Sequence, residues 1–471
     1  MSEAAESEGC PLAAMVERFP GRVAIRAVGT GLTYGEFEHA VRSASGGFTA
    51  GEVVAFPASA CLETMVTLLA VVRARGIALP LNPGFPQAYV EEVLGSIGPC
   101  RRLGAPVGFG LPQLHGSAVG MVRQAAPYGT GVTRSGVIVL TSGSTGVPKA
   151  ALLSLGNLCA SARMSNRNIV VAPGDHWLLS LPLYHVSGLG VLFRCLVAGA
   201  AVAVPGRETP LLAALEDVTH VSLVAAQLHR LLEENGGVER LRGLKAILLG
   251  GSGIPEGLLR EAHAAHLPIH TSYGLTEAAS QVTTTPPGAD LEALLTSGVS
   301  LHPDGLRFDG EGQILVGGPT CFLGYYRAGG LETPFDAEGY FATGDLGRFD
   351  EQGRLVVTGR RDNRFIVGGE NVQPEEIERC LCRLPGVRRA VVVGVPHDRF
   401  GNTPVAFVEG GSLTLEGMRE ALAEMLPAHK IPRRLLPWPN DLTPEGGKIL
   451  RQPFAARVKN RDRKNGDSNH F

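Results

Sequence analysis

The chain has 471 residues, which is more than one hydrophobic core normally holds, so at least two domains are expected. Apolar residues make up 44% of the chain and aromatic residues 6%, which indicates a globular protein and excludes a largely disordered one. The formal net charge of −2 lacks the basic excess of nucleic-acid-binding or membrane-surface proteins. Soluble small-molecule chemistry is therefore the favoured class of function.

The cysteines and the N-terminus indicate the cellular compartment. The eight cysteines show neither a C-x-x-C pair nor metal-ligand spacing, so we expect reduced thiols. The N-terminus, MSEAAESEGCPLAAM, is acidic and lacks the apolar core of a signal peptide, and no apolar run reaches the ~20 residues of a membrane span. We expect a cytoplasmic protein without a membrane span. The sequence leaves the oligomeric state open, a homo-oligomer included.

Short apolar runs alternate with longer amphipathic ones in the first part of the chain. EVVAFPA (52–58) and IALPLN (77–82) are typical of buried strands, whereas CLETMVTLLAVVRARG (61–76) and QAYVEEVLGSI (87–97) are typical of helices. A strand, a helix and a further strand in succession predict a parallel sheet covered by helices. The sequence therefore predicts an α/β fold.

A cluster of hydroxyl and glycine residues follows the apolar run SGVIVL. In LTSGSTGVPKA (140–150), small residues allow backbone N–H groups to approach an anion, and Lys149 adds a positive charge. The Walker A loop is excluded because Pro148 interrupts the spacing and Ala150 follows the lysine in place of Ser or Thr. The stretch alone is equally consistent with a phosphate-binding loop and with a plain turn.

The pattern changes near residue 306. LRFDGEGQILVGG (306–318) and GRFDEQGRLVVTGR (347–360) predict β-hairpins around Gly-containing turns. We place a domain boundary at about residue 359, which gives a large domain over 1–358 and a small one over 359–471. The charged end, KNRDRKNGDSNHF (459–471), has no apolar periodicity and predicts a disordered tail.

Together, several stretches resemble the adenylate-forming superfamily of acyl-CoA synthetases, luciferases and peptide-synthetase adenylation domains. In chain order they are LTSGSTGVPK (140–149), LLSLPLYHVSGLG (178–190), LLGGSGIP (248–255), SYGLTEAAS (272–280), FATGDLG (341–347), GRRDNRFIVGGENVQPEEIE (359–378) and LTPEGGKILRQ (442–452). The resemblance covers almost the whole chain. It implies a large domain of helix-covered, largely parallel sheets with a β-hairpin region, and a small mobile α+β lid domain.

The resemblance also implies a reaction, in which ATP converts a carboxylate to an acyl-adenylate and coenzyme A then takes the acyl group. The implied nucleotide-binding residues of the loop and of the second glycine motif are Thr141, Ser142, Gly143, Ser144, Thr145, Gly146, Lys149, Gly250 and Gly251. In YGLTE, Tyr273 and Gly274 would lie at adenine, Thr276 at the α-phosphate, and Glu277 would help to hold Mg²⁺. Taken singly, these residues are also compatible with a buried turn.

Further roles follow from the later motifs of the family. Asp345 would accept hydrogen bonds from the ribose hydroxyls, and Arg360 would reach the ribose or a phosphate. Lys448 would be delivered to the reacting carboxylate during adenylation. Asp362 would be the hinge about which the small domain turns, and the bare backbone of Gly368 and Gly369 would then admit the pantetheine arm of CoA.

The acid that is activated is a narrower question. LYHVSG offers Tyr184, His185 and Ser187 in place of the aspartate with which amino-acid-activating members pair the substrate ammonium. The motif combination is most similar to the members that join 2-succinylbenzoate, an aromatic dicarboxylic acid, to CoA in menaquinone biosynthesis. His185 and Ser280 would line the acyl pocket.

A dicarboxylate substrate needs a protein cation to pair with its second carboxylate, and this cation must not already bind the phosphates of ATP. In a helical reading of THVSLVAAQLHRLL, Gln227 and Arg230 lie three residues apart on the edge of an apolar stripe, where they could face the pocket. The alternative for Arg230 is a helix-surface position, and the alternative for His185 is a place in the core. Two other functions remain open: an aryl- or medium-chain acyl-CoA synthetase of the same fold, and a catalytically silent nucleotide-binding homologue.

Overall fold

The computed structural model describes residues 10–106, 121–122, 135–141, 148–251, 253–328, 330–397, 399–442 and 450–465. The α-helices are α1 (Pro11–Arg18), α2 (Tyr34–Ser45), α3 (Leu62–Arg73), α4 (Gln87–Ile97), α5 (Leu155–Asn168), α6 (Val186–Ala198), α7 (Leu211–Ala214), α8 (Ala225–Glu233), α9 (Gly237–Arg242), α10 (Glu256–Ala264), α11 (Leu291–Leu294), α12 (Pro374–Leu381), α13 (Leu415–Ala423) and α14 (Arg451–Asn465). Short 3₁₀ helices cover Thr276–Ala278, Arg361–Asn363 and Ala428–Lys430.

The strands of the first half of the chain are β1 (Val23–Ala27), β2 (Thr30–Thr33), β3 (Val53–Pro57), β4 (Ile77–Leu81), β5 (Arg101–Leu103), β6 (Met121–Val122), β7 (Gly136–Thr141), β8 (Lys149–Ser154), β9 (His176–Leu178), β10 (Ala201–Val204), β11 (His220–Leu223) and β12 (Ala246–Leu249). Those of the second half are β13 (Ile269–Leu275), β14 (Ser280–Thr284), β15 (Val299–Ser300), β16 (Leu306–Phe308), β17 (Gln313–Val316), β18 (Gly324–Arg327), β19 (Gly330–Glu332), β20 (Phe341–Phe349), β21 (Leu355–Arg360), β22 (Phe365–Val367), β23 (Glu370–Val372), β24 (Arg389–His397), β25 (Gly401–Glu409) and β26 (Arg434–Pro437).

Two large mixed sheets form the body of the protein. One has the order β15-β14-β13-β12-β11-β9-β10-β1-β2, and its strands from β13 to β1 are parallel. The other has the order β19-β18-β8-β7-β4-β3-β5-β6, with parallel pairing only among β7, β4, β3 and β5 in the described part of the chain. The α/β prediction is confirmed, including the β3-α3-β4 unit.

Helix α3 lies deep in the principal apolar cluster. All residues from Leu62 to Val72 except Glu63 are buried, because apolar side chains occupy most of the helix surface and pack on several sides. Helices α8, α9 and α10 cover the other face of the first sheet, where Leu228, Leu231 and Leu259 are buried. Helices therefore cover the sheets, as the alternation of apolar and amphipathic runs predicts.

The predicted hairpins are both present. Strands β16 and β17 pair antiparallel, as do β20 and β21, and together they form the sheet β16-β17-β20-β21. Residues from 365 onward build a separate sheet, in which β23, β22, β25 and β24 are antiparallel and β26 is parallel to β25. This sheet has its own apolar clusters, which is consistent with the predicted small domain.

The end of the chain differs from the prediction. The sequence predicts a disordered tail over 459–471, whereas α14 continues to Asn465; residues 466–471 lie outside the described residues. The helix begins at Arg451, and its first two turns bury Phe454 and Val458, which are 3% and 0% exposed and pack on β24 and β25. Once these side chains fix the first turns, the charged residues can continue the helix although they have no apolar periodicity of their own.

Candidate active site

Parallel strands bring three of the predicted motifs to one edge of the first sheet. Leu223 at the end of β11 is paired with Leu249 of β12, which in turn is paired with Thr271 of β13. The residues that follow these strands therefore emerge side by side, where open α/β sheets bind their ligands. Gln227, the Gly250–Gly251 pair and the YGLTE motif all lie at this edge.

The turn of YGLTE requires a glycine. A Cβ on Gly274 would lie 1.9 Å from the carbonyl oxygen of Ser280, so no side chain fits between β13 and β14. The chain then turns back through Ala279 and Ser280, which have φ values of 51° and 109°. This tight return fixes Thr276 and Glu277 in a short 3₁₀ helix at the edge of the sheet.

Tyr273 and Arg360 both bind Asp345. The Tyr273 hydroxyl donates to Oδ2 of Asp345 over 2.7 Å, and Nη1 of Arg360 donates to Oδ1 over 3.0 Å. Asp345 and Arg360 are also paired in the β20–β21 register. Burial and the charge of Asp345 raise the pKa of Tyr273, so the phenol stays protonated and donates. The structure thus brings the predicted adenine and ribose residues together.

Glu277 and Lys149 meet at a residue that the sequence does not single out. The Tyr325 hydroxyl donates to Oε1 of Glu277 over 2.7 Å, and Nζ of Lys149 lies 4.9 Å from the centre of the Tyr325 ring. Among the described residues no cluster of three His, Cys, Asp or Glu side chains could hold a metal ion. A single carboxylate suits Mg²⁺ that arrives with phosphates, because Mg²⁺ commonly takes one or two protein carboxylates.

Part of the predicted phosphate loop lies outside the described residues, namely Ser142, Gly143, Ser144, Thr145 and Gly146, and so does Lys448. The residues that flank the loop are described. Thr141 and Lys149 are paired at the ends of β7 and β8, and both are half-buried. Because Lys149 is paired within the β7–β8 ladder, the strand register sets the face of the sheet on which its side chain lies.

His185 precedes α6, and its ring lies 4.7 Å from that of Tyr184. The His185 side chain is exposed, so the alternative of a core histidine does not hold.

The predicted hinge residue, Asp362, is exposed in the 3₁₀ helix between β21 and β22, with Oδ2 3.6 Å from Nη2 of Arg360. Gly368 and Gly369 are exposed in the turn after β22, both with positive φ.

Arg194 is a buried cation that the sequence prediction missed. It is 1% exposed on α6, and its guanidinium donates to Oγ of Ser165 and Oε1 of Gln281, each over 2.8 Å, and to Oγ of Ser280 over 3.3 Å. All of these acceptors are neutral. Burial lowers the pKa of Arg194 to about 10, which still leaves it charged near neutral pH. Its signal in the sequence is a single arginine in the otherwise apolar helix VSGLGVLFRCLVA.

Space for this guanidinium is provided by a glycine one turn earlier. A Cβ on Gly190 would lie 3.0 Å from Nη1 of Arg194, and the guanidinium carbon also lies 5.2 Å from the Trp177 ring centre. A buried arginine that pairs only with neutral oxygens among the described residues keeps an uncompensated positive charge. That charge lies against Ser280, a residue predicted to contact the acyl substrate.

The placement of Arg230 does not support the prediction that it faces the acyl pocket. Its side chain is exposed on α8 and borders a surface cavity of about 430 Å³ with Pro210, Glu233 and Glu234. The helical periodicity was correct, since Leu228 and Leu231 are buried, but the edge that carries Arg230 turns to the surface.

The other predicted pocket residue of α8, Gln227, is half-buried, and its amide nitrogen lies 3.5 Å from the Ser180 carbonyl oxygen.

Comparison with protein families decides the class. The family model described as AMP-binding enzyme matches residues 12–107 and 135–326, and the model of the AMP-binding enzyme C-terminal domain matches 376–444. The chain belongs to the AMP-binding enzyme family. The members of this family are the adenylate-forming enzymes, so the resemblance seen in the motifs is confirmed.

Individual AMP-binding enzymes are similar over most of the chain. The 2-succinylbenzoate–CoA ligase of Escherichia coli K12 is 35% identical over 84% of this chain and 85% of its own. A structure of E. coli MenE with a bound phenylether-linked analogue of OSB-AMS superposes with a TM-score of 0.79 at 32% identity, covering 96% of this chain and 99% of the other. The o-succinylbenzoate CoA synthetase of Bacillus subtilis in complex with ATP and magnesium ion superposes with a TM-score of 0.77 at 26% identity, covering 94% and 98%.

Proposed function

We propose that this AMP-binding enzyme is a 2-succinylbenzoate–CoA ligase of menaquinone biosynthesis. In the first step a substrate carboxylate attacks the α-phosphorus of ATP, forming acyl-AMP and releasing pyrophosphate. In the second step the CoA thiol attacks the acyl carbonyl, forming the thioester and releasing AMP. The similarity to 2-succinylbenzoate–CoA ligases over most of the chain supports the reaction, and the buried charge of Arg194 is the observation that carries the choice of acid.

The nucleotide would bind at the edge of the first sheet. Tyr273 lies against the adenine, and Asp345 exchanges part of its present hydrogen bonding to Tyr273 and Arg360 for the ribose hydroxyls. Lys149 and Glu277 lie at the phosphates with the loop residues 142–146, and Thr276 contacts the α-phosphate. Mg²⁺, when bound, neutralises charge that develops on the phosphates as pyrophosphate leaves. Lys448 acts at the carboxylate in this step alone.

The acyl group would lie between α6 and the segment Ala279–Ser280, with His185 at the entrance. One carboxylate of 2-succinylbenzoate reacts, and the other remains an anion that needs compensation in a site withdrawn from water. Arg194 supplies this charge and Ser280 a hydroxyl beside it. Arg230 has no part in this proposal because its side chain is exposed.

The second step would use the small domain. Rotation about Asp362 moves Lys448 away from the active site and brings in the turn with Gly368 and Gly369. These glycines have no side chains, which leaves a passage for pantetheine.

We place the enzyme in the cytoplasm, where ATP and CoA are available and where the eight free cysteines remain reduced. Among the described residues no helix is long and apolar enough to cross a membrane.

Two alternatives predict different substrate profiles. An aryl- or medium-chain acyl-CoA synthetase would accept monocarboxylates as readily as the diacid. A silent homologue would bind ATP without turnover, but it would be expected to lose Asp345, Glu277 or Lys448, and the chain has all three. The buried Arg194 favours the diacid over both alternatives, since a monocarboxylate has no second charge to compensate it.

The test is ATP–pyrophosphate exchange in the absence of CoA, with 2-succinylbenzoate, benzoate and a medium-chain fatty acid as substrates. We expect exchange that depends on 2-succinylbenzoate and is far weaker with the two monocarboxylates. Equal exchange with all three acids would assign the chain to the general acyl-CoA synthetases, and no exchange with any acid would favour the silent homologue.

A further inference from the structure

Tyr325 is a buried residue on β18 whose neighbours are two residues of the proposed phosphate site. Its side chain is 5% exposed, its hydroxyl donates to Oε1 of Glu277 over 2.7 Å, and Nζ of Lys149 lies 4.9 Å from its ring centre. The strand register explains the second contact. Tyr325 is paired with Ala151 of β8, and Lys149, two positions earlier on β8, points to the same face of the sheet.

The Tyr325 ring is held by other aromatic residues. Phe322 packs edge-on at 4.9 Å between ring centres, and Phe341 at 6.4 Å. Phe322 also donates its backbone N–H to the Glu277 carbonyl oxygen over 2.8 Å, so the cluster is fastened to the 3₁₀ helix at two points. A ring packed in this way directs its hydroxyl with little freedom.

The geometry of the contact with Glu277 suits a phenol that donates. A carboxylate oxygen without a proton can only accept, so the 2.7 Å contact between the Tyr325 hydroxyl and Oε1 of Glu277 is a bond that the phenol donates. The bond to Oε1 is therefore a neutral donor to a carboxylate, which fixes the carboxylate plane without cancelling its charge. The bond occupies Oε1 and leaves Oε2 of Glu277 for a cation.

We infer that Tyr325 is a positioning residue for the Mg²⁺·ATP complex: it orients Glu277 towards the cation and holds Lys149 beside the same phosphates. The inference rests on the proposed function for the presence of ATP, but it does not depend on which acid is activated. Hydrogen-bond partners of metal ligands typically change metal affinity by 10- to 100-fold when removed.

The perturbation is Tyr325→Phe, which keeps the ring beside Lys149 and removes the bond to Glu277. ATP binding is measured by calorimetry at a series of Mg²⁺ concentrations without any acid. We expect the Mg²⁺ concentration for half-maximal binding to rise by about tenfold, while ATP binding at saturating Mg²⁺ and the melting temperature stay near the parent values. The matched control is Tyr326→Phe, on the same strand, where the ring packs in a separate apolar cluster with Ile77 and Leu79.

A double-mutant cycle separates positioning from a merely structural effect. If Tyr325 acts through Glu277, then Tyr325→Phe should add nothing to the Mg²⁺ dependence of Glu277→Gln. Additive effects in the double variant, or an unchanged Mg²⁺ dependence with only a lower melting temperature, would overturn the inference. A chain that shows the Mg²⁺ shift but ignores 2-succinylbenzoate would retain the role of Tyr325 and lose the substrate assignment.

Discussion

Replacing Arg194 by methionine tests the proposed recognition of the second carboxylate. Methionine fills a similar apolar volume and removes the charge. Arg194 is 1% exposed and its acceptors at Ser165, Gln281 and Ser280 are neutral, so these hydrogen bonds leave its positive charge uncompensated, and we propose that the second carboxylate of the substrate compensates it. Leaving a buried anion without its partner costs about 2–5 kcal/mol, which corresponds to a loss of roughly 30-fold to several-thousand-fold in kcat/KM for 2-succinylbenzoate.

The same substitution should change stability much less. The oxygens of Ser165 and Gln281 lose a donor, which costs about 1–3 kcal/mol, but the protein no longer has to bury an unpaired cation, which offsets part of this cost. Ser165 and Gln281 also remain bonded to each other over 2.6 Å. We therefore expect a folded protein that uses 2-succinylbenzoate poorly but binds ATP normally.

The assay is kcat/KM for 2-succinylbenzoate and for benzoate in the parent, in Arg194→Met and in Arg230→Met. The loss should be confined to the diacid and to Arg194→Met, because Arg230 is exposed on α8. An equal loss for both acids would mean that Arg194 supports the fold and does not recognise the second carboxylate. A selective loss in Arg230→Met would restore the prediction made from the sequence.

Two further predictions concern the adenylation step. Lys448→Ala should abolish acyl-AMP formation but leave thioester synthesis from supplied acyl-AMP largely intact, and equal loss in both half-reactions would contradict a division of labour between two domain orientations. Gly274→Ala should sharply weaken ATP binding, since its Cβ would lie 1.9 Å from the Ser280 carbonyl oxygen, whereas Gly253→Ala meets nothing within 4 Å and should bind ATP normally. Normal ATP binding by Gly274→Ala would show that the turn adapts.

The sequence was sufficient for the features that depend on local pattern. The β3-α3-β4 unit follows from the alternation of apolar runs, and both hairpins follow from Gly-containing turns between apolar strands. The nucleotide residues Tyr273, Asp345 and Arg360 were predicted by resemblance, and the structure brings them into contact. Their roles towards ATP remain predictions.

Features that depend on tertiary packing were missed. Periodicity identified the apolar stripe of α8 but could not tell which edge of the helix is exposed, so Arg230 was placed at the pocket and the buried Arg194 of α6 was not considered. Tyr325 had no local signal, because its neighbours Lys149 and Glu277 are distant in sequence and meet only when β8 and β18 pair. The helical structure of residues 459–465 was missed because the anchoring of α14 depends on the surface against which Phe454 packs.

The most direct measurement is the ratio of kcat/KM for thioester formation from 2-succinylbenzoate to that from benzoate, with the purified chain, ATP, Mg²⁺ and CoA. The acyl-CoA product is identified by mass. We expect 2-succinylbenzoyl-CoA together with AMP and pyrophosphate in equal amounts. We also expect a ratio well above one hundred, because the interaction of a buried arginine with the second carboxylate contributes about 3 kcal/mol or more. A ratio near one, or ADP and phosphate in place of AMP and pyrophosphate, would contradict these expectations.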